Sequence, residues 1–359
     1  MKFKIHIAFI AIAMFALGAC TKSPVTKPVT TTTTTTTTLD VDDADVYVAG
    51  VDPTVGGSLV ASYWKNGVPV KLTDSSNQTV ATSMIRQGND IYVAGYTNAL
   101  YGDDIATYWK NGVATALTTG SVVSQANGIA VSGNDVYVAG MVYASNGHPQ
   151  TVFWKNGTMT TLGDPQHYSR GLAVAVSGSD VYIAGYIDNT AVYWKNGVAD
   201  TLVVDPTADP NLYSTKANAI IINGSDVYIA GQVATYSTIG GIYWKNGVAT
   251  QLHDGTICSL STTPGAMVIN GPDVYVAGYT KDPVTNKAIA TYWKNGVETK
   301  ITDGKTNAEA DAIAVNNNDV YISGLLDGTA TYWKNKTAVQ LNKNTGFASA
   351  ANVILVVPH

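Results

Sequence analysis

Charged residues are scarce, at 13% of a 359-residue chain that is 45% apolar. Helix-forming Lys and Glu are correspondingly few, which argues against a helical protein, while the apolar share is ample for a large core. Lys and Arg number 21 against 26 Asp and Glu. Nucleic acid is thereby excluded as a partner, because phosphate binding needs a basic footprint. Beyond the first twenty residues histidine occurs only at His148, His167, His253 and His359, without the spacing of a metal site. There is no G-x-S-x-G, and no Walker or dinucleotide loop following a strand and opening a helix. What is abundant is Gly (34), Tyr (21), Val, Thr and Asn, the composition of an all-β protein with many turns.

The first twenty residues read M-K-F-K-I-H-I-A-F-I-A-I-A-M-F-A-L-G-A-C. Lys2 and Lys4 form a basic n-region and Ile5–Leu17 an apolar h-region, so residues 1–19 are expected to be a signal peptide. Leu17-Gly18-Ala19-Cys20 resembles the lipobox of bacterial lipoproteins. That resemblance implies cleavage before Cys20, lipidation of its thiol and new amino group, and, with Thr21 rather than Asp next, the outer membrane. Several acyl chains hold a protein on a bilayer durably where one does not. Losing Lys2 and Lys4 would leave 19 basic against 26 acidic residues, a net charge of −7. With Cys20 lipidated, Cys258 is the one cysteine left and no intrachain disulfide is expected. The segment 20–39, with its run Thr30–Thr38, cannot build a core and reads as a tether. The globular domain is expected over 40–359.

Two linked motifs repeat seven times. D-[VI]-Y-[VI]-[AS]-G begins at Asp45, Asp90, Asp135, Asp180, Asp226, Asp273 and Asp319, in steps of 45, 45, 45, 46, 47 and 46 residues. [YF]-W-K-N carries every tryptophan of the chain, at 64, 109, 154, 194, 244, 293 and 333. Within residues 127–162 the pattern gives four short strands, 127–131, 135–140, 151–155 and 158–162. Asn156-Gly157 joins the last two with the chemistry of a type I′ turn. The final unit departs, with Asn335-Lys336. Both faces of the second strand are apolar, so both are covered. Four-stranded sheets of this kind, repeated seven times at about 46 residues, predict a seven-bladed β-propeller.

The first unit begins at its second strand, with no inner strand before Asp45. The missing one is I-L-V at 354–356: Asn352 stands where Asn127 and Asn218 stand in their units. The C-terminal strand (350–356) is therefore expected to complete blade 1 and close the ring, removing an exposed edge.

The grammar A-x-x-I-x-V-x-x-x-D-V-Y-V-A-G…[YF]-W-K-N-G-x-x-x-x-L, over residues 45–356, resembles the secreted HAF-type repeats, whose units run strand, turn, V-V-G, then F-x-W-x-N-G and a Leu. The D-V-Y-V-A-G hexapeptide departs from that pattern. The resemblance implies a secreted propeller and carries no known activity.

Positions repeated in every blade serve folding, so function is sought where the repeat breaks. The short first–second and third–fourth turns share one face, and the variable second–third and fourth–first loops share the other. Asp74, Asp164, Asp205, Asp254 and Asp303 follow the fourth strand and form either an acidic rim or turn residues. Asn127, Asn218, Asp311 and Asn352 begin inner strands, where they either meet a ligand at the channel mouth or cap the strands. Tyr101, Tyr143, Tyr168, Tyr213 and Tyr236 lie in the variable loops, with His167 and Arg170 beside Tyr168, and suit recognition of protein or glycan. Arg86 stands at an inner-strand position that is Val or Ile elsewhere, either paired in the channel or reaching solvent.

The expectation is a membrane-anchored binding module for an unknown protein or glycan, acting as a monomer without cofactor or metal. The alternatives are a carbohydrate-active enzyme using loop carboxylates, which must lie about 5–9.5 Å apart, and a passive spacer.

Overall fold

The structure, a computed structural model, describes residues 44–74, 77–98, 103–204, 212–236, 239–252, 258–260, 265–341 and 349–359. These residues form seven antiparallel sheets and contain no helix. Each sheet is a blade of four strands, here a to d from the channel outward. Blade 3, for instance, consists of 124–132, 135–143, 149–155 and 158–161. In blade 6 strand a is split into 258–260 and 267–270, both paired to strand b.

The ring closes as expected. Residues 350–358 pair antiparallel with 44–53, Val48 opposite Ile354 and Asp45 opposite Val357. They form strand a of a blade whose other strands come from the beginning of the domain. Ala351, Val353 and Ile354 are buried there.

Seven apolar clusters hold the ring, one at each blade interface. Trp154 of blade 3 packs with Tyr92, Ala94 and Leu117 of blade 2; Trp64 of blade 1 packs with Ala330, Tyr332 and Leu341 of blade 7. All seven tryptophans are almost wholly buried, so they serve the core. Trp is large enough to fill the space between diverging sheets, and its loss to Ala typically costs about 3–5 kcal/mol. The glycine that ends the D-V-Y-V-A-G motif has its own cause. Strand a carries a β-bulge opposite it, and a Cβ on Gly140 would lie 2.0 Å from the Gln125 carbonyl oxygen.

The short turns carry a repeated latch. In blade 3, Asn156 has φ +51° and Gly157 +82°, the left-handed pair of a type I′ hairpin. Asn156 Oδ1 accepts the Val136 amide at 2.9 Å, and its Nδ2 donates to Asp135 at 2.7 Å. Lys155 Nζ meets the same carboxylate at 2.8 Å and lies 5.2 Å from the Tyr137 ring centre. All seven blades repeat this arrangement, down to Asn335, Asp319 and Lys334 in the last. The lysine of the W-K-N motif is thus a half-exposed ion-pair partner that fastens strand c to the start of strand b. Its neighbours hold each motif Asp below the ordinary carboxylate range. Asp45 falls to about 2 through its bonds to Lys65 and then Asn66.

Candidate functional site

Seven latches make one face of the ring nearly uniform, so differences concentrate at the other. The residue after D-V-Y-V-A-G is the first to escape the repeat. It is Val51, Tyr96, Met141, Tyr186, Gln232, Tyr279 and Leu325 around the ring. The bulge sets opposite it a residue of strand a that also varies: Val80 in blade 2, Gln125 in blade 3, Arg170 in blade 4, Lys216 in blade 5 and Glu309 in blade 7. Strand a borders the channel, and its start lies on the variable face. These positions therefore surround the channel mouth.

Cationic groups gather on one side of that mouth. Arg170, one of only two arginines in the chain, pairs in register with Tyr186. Lys216 of the next blade places its ammonium 5.1 Å from the centre of the same Tyr186 ring. Both cations are half-buried, and no carboxylate is within ion-pair distance of either among the described residues. Burial, followed by the charge of Arg170, pushes the Lys216 ammonium below its usual pKa. Tyr96 of blade 2 faces the same region. Burial first and Asp104 second raise its hydroxyl to about 12, with Arg170 opposing them. Tyr186 is raised by burial, and the groups acting on it include Arg170 and Tyr143. Asp104 is engaged nearby, accepting from Gln125 Nε2 at 2.7 Å. Glu309 takes the corresponding place in blade 7, where burial raises its carboxyl.

No family model and no curated protein sequence matches this chain. Solved structures match its fold. A puromycin-hydrolyzing peptidase of Mycobacterium tuberculosis superposes with a TM-score of 0.53 at 10% identity, over 83% of this chain and 52% of that one. A puromycin hydrolase superposes with a TM-score of 0.51 at 11% identity, over 84% of this chain and 52% of the other. This chain thus spans about half the length of each. At such identity the likeness shows the propeller fold alone.

The rim outside the mouth carries a second group. His167 Nδ1 is 2.7 Å from Asp188 Oδ2, and the Tyr168 amide donates to Asp188 Oδ1 at 3.0 Å. Asp188 occupies the tight b–c turn of blade 4 at φ +51°, and its bond to His167 holds its carboxyl down. Tyr168 stacks on His148 of blade 3 with ring centres 4.1 Å apart, yet remains half-exposed. Tyr213 and Tyr236 form an exposed pair on blade 5, 5.5 Å between ring centres. The structure therefore brings Tyr143, Tyr168, His167 and Arg170 into one sector of blades 3 and 4.

The inner-strand polar residues sit at the bulges. Asn127, Asn218, Asp311 and Asn352 are the bulged residues of their strands. Asn127 Nδ2 donates to the Gly171 carbonyl and Asn352 Nδ2 to the Ala81 carbonyl, each 2.8 Å away in the next blade. Thr82 takes the same place in blade 2 and donates to Ala126 O at 2.8 Å. The bulge thus turns a side chain sideways to stitch neighbouring blades. Asn218 is fully buried.

Among the acidic candidates, Asp164 accepts the Gln166 amide at 2.8 Å, and Asp303 accepts the Lys305 amide at 3.1 Å and the Lys305 ammonium at 2.7 Å. Those carboxylates organise their own turns, as Asp does widely. Asp74 is exposed after strand d of blade 1. Cys20, Asp205, Asp254 and Tyr101 lie outside the described residues. Arg86 sits at the opposite end of its strand, its Nη2 3.4 Å from Asn89 Oδ1. Two clefts of about 170 and 200 Å³ open between blades 6 and 7 and between blades 3 and 4. Repeat side chains line them, and both fall below the roughly 300 Å³ of a typical ligand site.

Proposed function

We propose that this chain is a binding module, held on the outer membrane by a lipid at Cys20, that recognises a protein or glycan through the variable face of its propeller. The observation that carries this reading is the division between the two faces. One repeats a Lys–Asp–Asn latch seven times, whereas the other collects half-buried and exposed tyrosines beside two cations that have no carboxylate partner among the described residues. Tyrosine supplies large contact area at low entropic cost, which is why it dominates recognition surfaces. The lipobox-like Leu17-Gly18-Ala19-Cys20 and the threonine tract support a tethered position, and the resemblance of the W-K-N-G repeats to HAF-type secreted repeats supports an extracytoplasmic one.

The test pairs glycan arrays and pull-downs with a Tyr168→Ala/Tyr213→Ala/Tyr236→Ala variant. These rings are exposed, so folding should survive while binding falls by tenfold or more. Absence of any partner, or binding indifferent to the three substitutions, would count against the reading. Mass spectrometry of the mature chain should find acyl groups on Cys20, and Cys20→Ala should release the protein from membranes.

A further inference from the structure

The channel mouth presents more than a generic recognition surface. Arg170 and Lys216 come from adjacent inner strands and meet at Tyr186: Arg170 is its partner in strand register, and the Lys216 ammonium lies 5.1 Å from its ring centre. Two like charges held together half out of water repel each other and lose hydration, so an arrangement of this kind favours an anion between them. The setting sharpens the point, because the chain as a whole is acidic. Each motif lysine has an aspartate within ion-pair distance, whereas these two cations have none among the described residues.

We propose that Arg170 and Lys216 form an anion subsite that takes the carboxylate of an acidic saccharide, with Tyr96, Tyr143 and Tyr186 packing against its sugar ring. The inference rests on the reading of the variable face as a binding surface and specifies the ligand class. Arg170 supplies a planar fork that matches a carboxylate, and Lys216 a point charge beside it. Tyrosine rings offer a flat apolar face and a hydroxyl, which complements the alternating C–H and O–H edges of a pyranose. A peptide carboxylate fits less well. Of the apolar residues at the matching position, Val51 and Met141 are buried and Leu325 alone is half-exposed, which leaves little apolar surface there for peptide side chains. Glu309 in blade 7 sets a carboxyl at the matching place across the ring, which orients an anionic group toward blades 4 and 5.

The experiment is calorimetric titration of the whole mature domain with trigalacturonate, its fully methyl-esterified form, a neutral trisaccharide and sodium acetate. Trigalacturonate should bind, and the ester and neutral sugar should bind at least tenfold more weakly. Arg170→Gln and Lys216→Gln should each weaken trigalacturonate by tenfold or more. Arg170→Lys, which keeps the charge and loses the fork, should fall between wild type and Arg170→Gln. Unchanged circular dichroism and melting temperature establish that the variants fold. Equal binding of acidic and neutral sugars would overturn the subsite while leaving a glycan-binding face intact. Acetate binding as tightly as trigalacturonate would mean a bare anion site and overturn the saccharide assignment. Failure of trigalacturonate, with capture of a protein that Tyr168→Ala/Tyr213→Ala/Tyr236→Ala abolishes, would overturn this inference and leave the binding module standing.

Discussion

Asn156 tests whether the latch holds the blades or merely ornaments them. The side chain has two separable roles. Its backbone sits at φ +51°, where an ordinary L-residue is strained by about 1–2 kcal/mol. Its Oδ1 accepts the Val136 amide at 2.9 Å, a bond contributing about 1 kcal/mol net. The exposed contact to Asp135 adds little. Asn156→Ala forfeits both roles and should cost about 2–3 kcal/mol. Asn156→Gly restores the backbone freedom, loses the bond and loosens the unfolded chain, for about 1–2 kcal/mol. Unfolding entropy of about 2.1 cal/mol/K per residue over roughly 300 residues converts 1 kcal/mol into about 1.6 °C. Melting temperature should therefore drop by about 3–5 °C for Ala and about 2–3 °C for Gly, and urea midpoints should fall in the same order. An Asn156→Gly protein as stable as wild type would refute the bond to Val136. Ala and Gly variants of equal stability would refute the strain.

The same reasoning predicts a gain at the one turn that breaks the rule. Lys336 takes the place of glycine at φ +75°. Lys336→Gly removes the strain at the cost of a freer unfolded chain and should stabilise by about 0.5–1 kcal/mol. A loss of stability on urea unfolding would show that the lysine side chain holds the turn in some other way.

Deleting 350–359 removes Ala351, Val353 and Ile354 from the core and exposes the edge of strand b in blade 1, so the product should aggregate or fail to show a cooperative melt; an unchanged melting temperature would refute ring closure. Acid should loosen all seven latches together. Their aspartates have folded-state pKa values below the unfolded one, so the stabilisation is complete above the unfolded pKa of about 3.9. It is lost as pH falls through the folded values, about 2 for Asp45. Urea midpoints should therefore be flat from pH 7 to about 5 and fall below about 4; a midpoint that rises on acidification over that lower range would contradict the latch.

The architecture was legible because each of its causes is local and repeated. A tryptophan every 45 residues or so, a type I′ Asn-Gly and an Asp at the head of strand b declare themselves without any knowledge of neighbours. Even the closing strand follows from register, since Asn352 marks the bulge position. The site was legible only in part. Tyr143, Tyr168 and Arg170 stand out as loop or strand-end residues, but Lys216, Tyr96 and Tyr186 lie inside regular strands. What distinguishes them is the first step beyond an invariant hexapeptide and the bulge that sets variable residues opposite it. That offset is a property of sheet pairing rather than of spacing along the chain. The bulge asparagines show the same dependence on pairing: the sequence leaves a ligand contact and a strand cap both open for Asn127 and Asn352, and only the bulge shows the side chain turned sideways to the next blade's carbonyl.

The geometry also separates folding from recognition along each strand. From Asp135 to Gly140 the residues of strand b meet the latch, the two blade interfaces and the bulge in turn, so substitution there disturbs neighbours on both sides. One residue later comes the position that varies from blade to blade and borders the channel mouth. The position ranges from Val51 and Met141, which are buried, to the half-buried Tyr96 and Tyr186, in blades that share the same tryptophan and latch. The seven positions around the mouth can thus differ in charge and size while the ring stays the same. The juxtaposition of Arg170 and Lys216 on adjacent blades is one composition that such a ring permits. Exchanging the Gln125, Arg170, Lys216 and Glu309 positions among blades should then change what the mouth binds with little effect on the stability of the ring. Unfolding of such exchanged variants at the wild-type urea midpoint, with altered ligand preference, is the expected result; a large fall in that midpoint would mean that the mouth residues themselves hold the ring together.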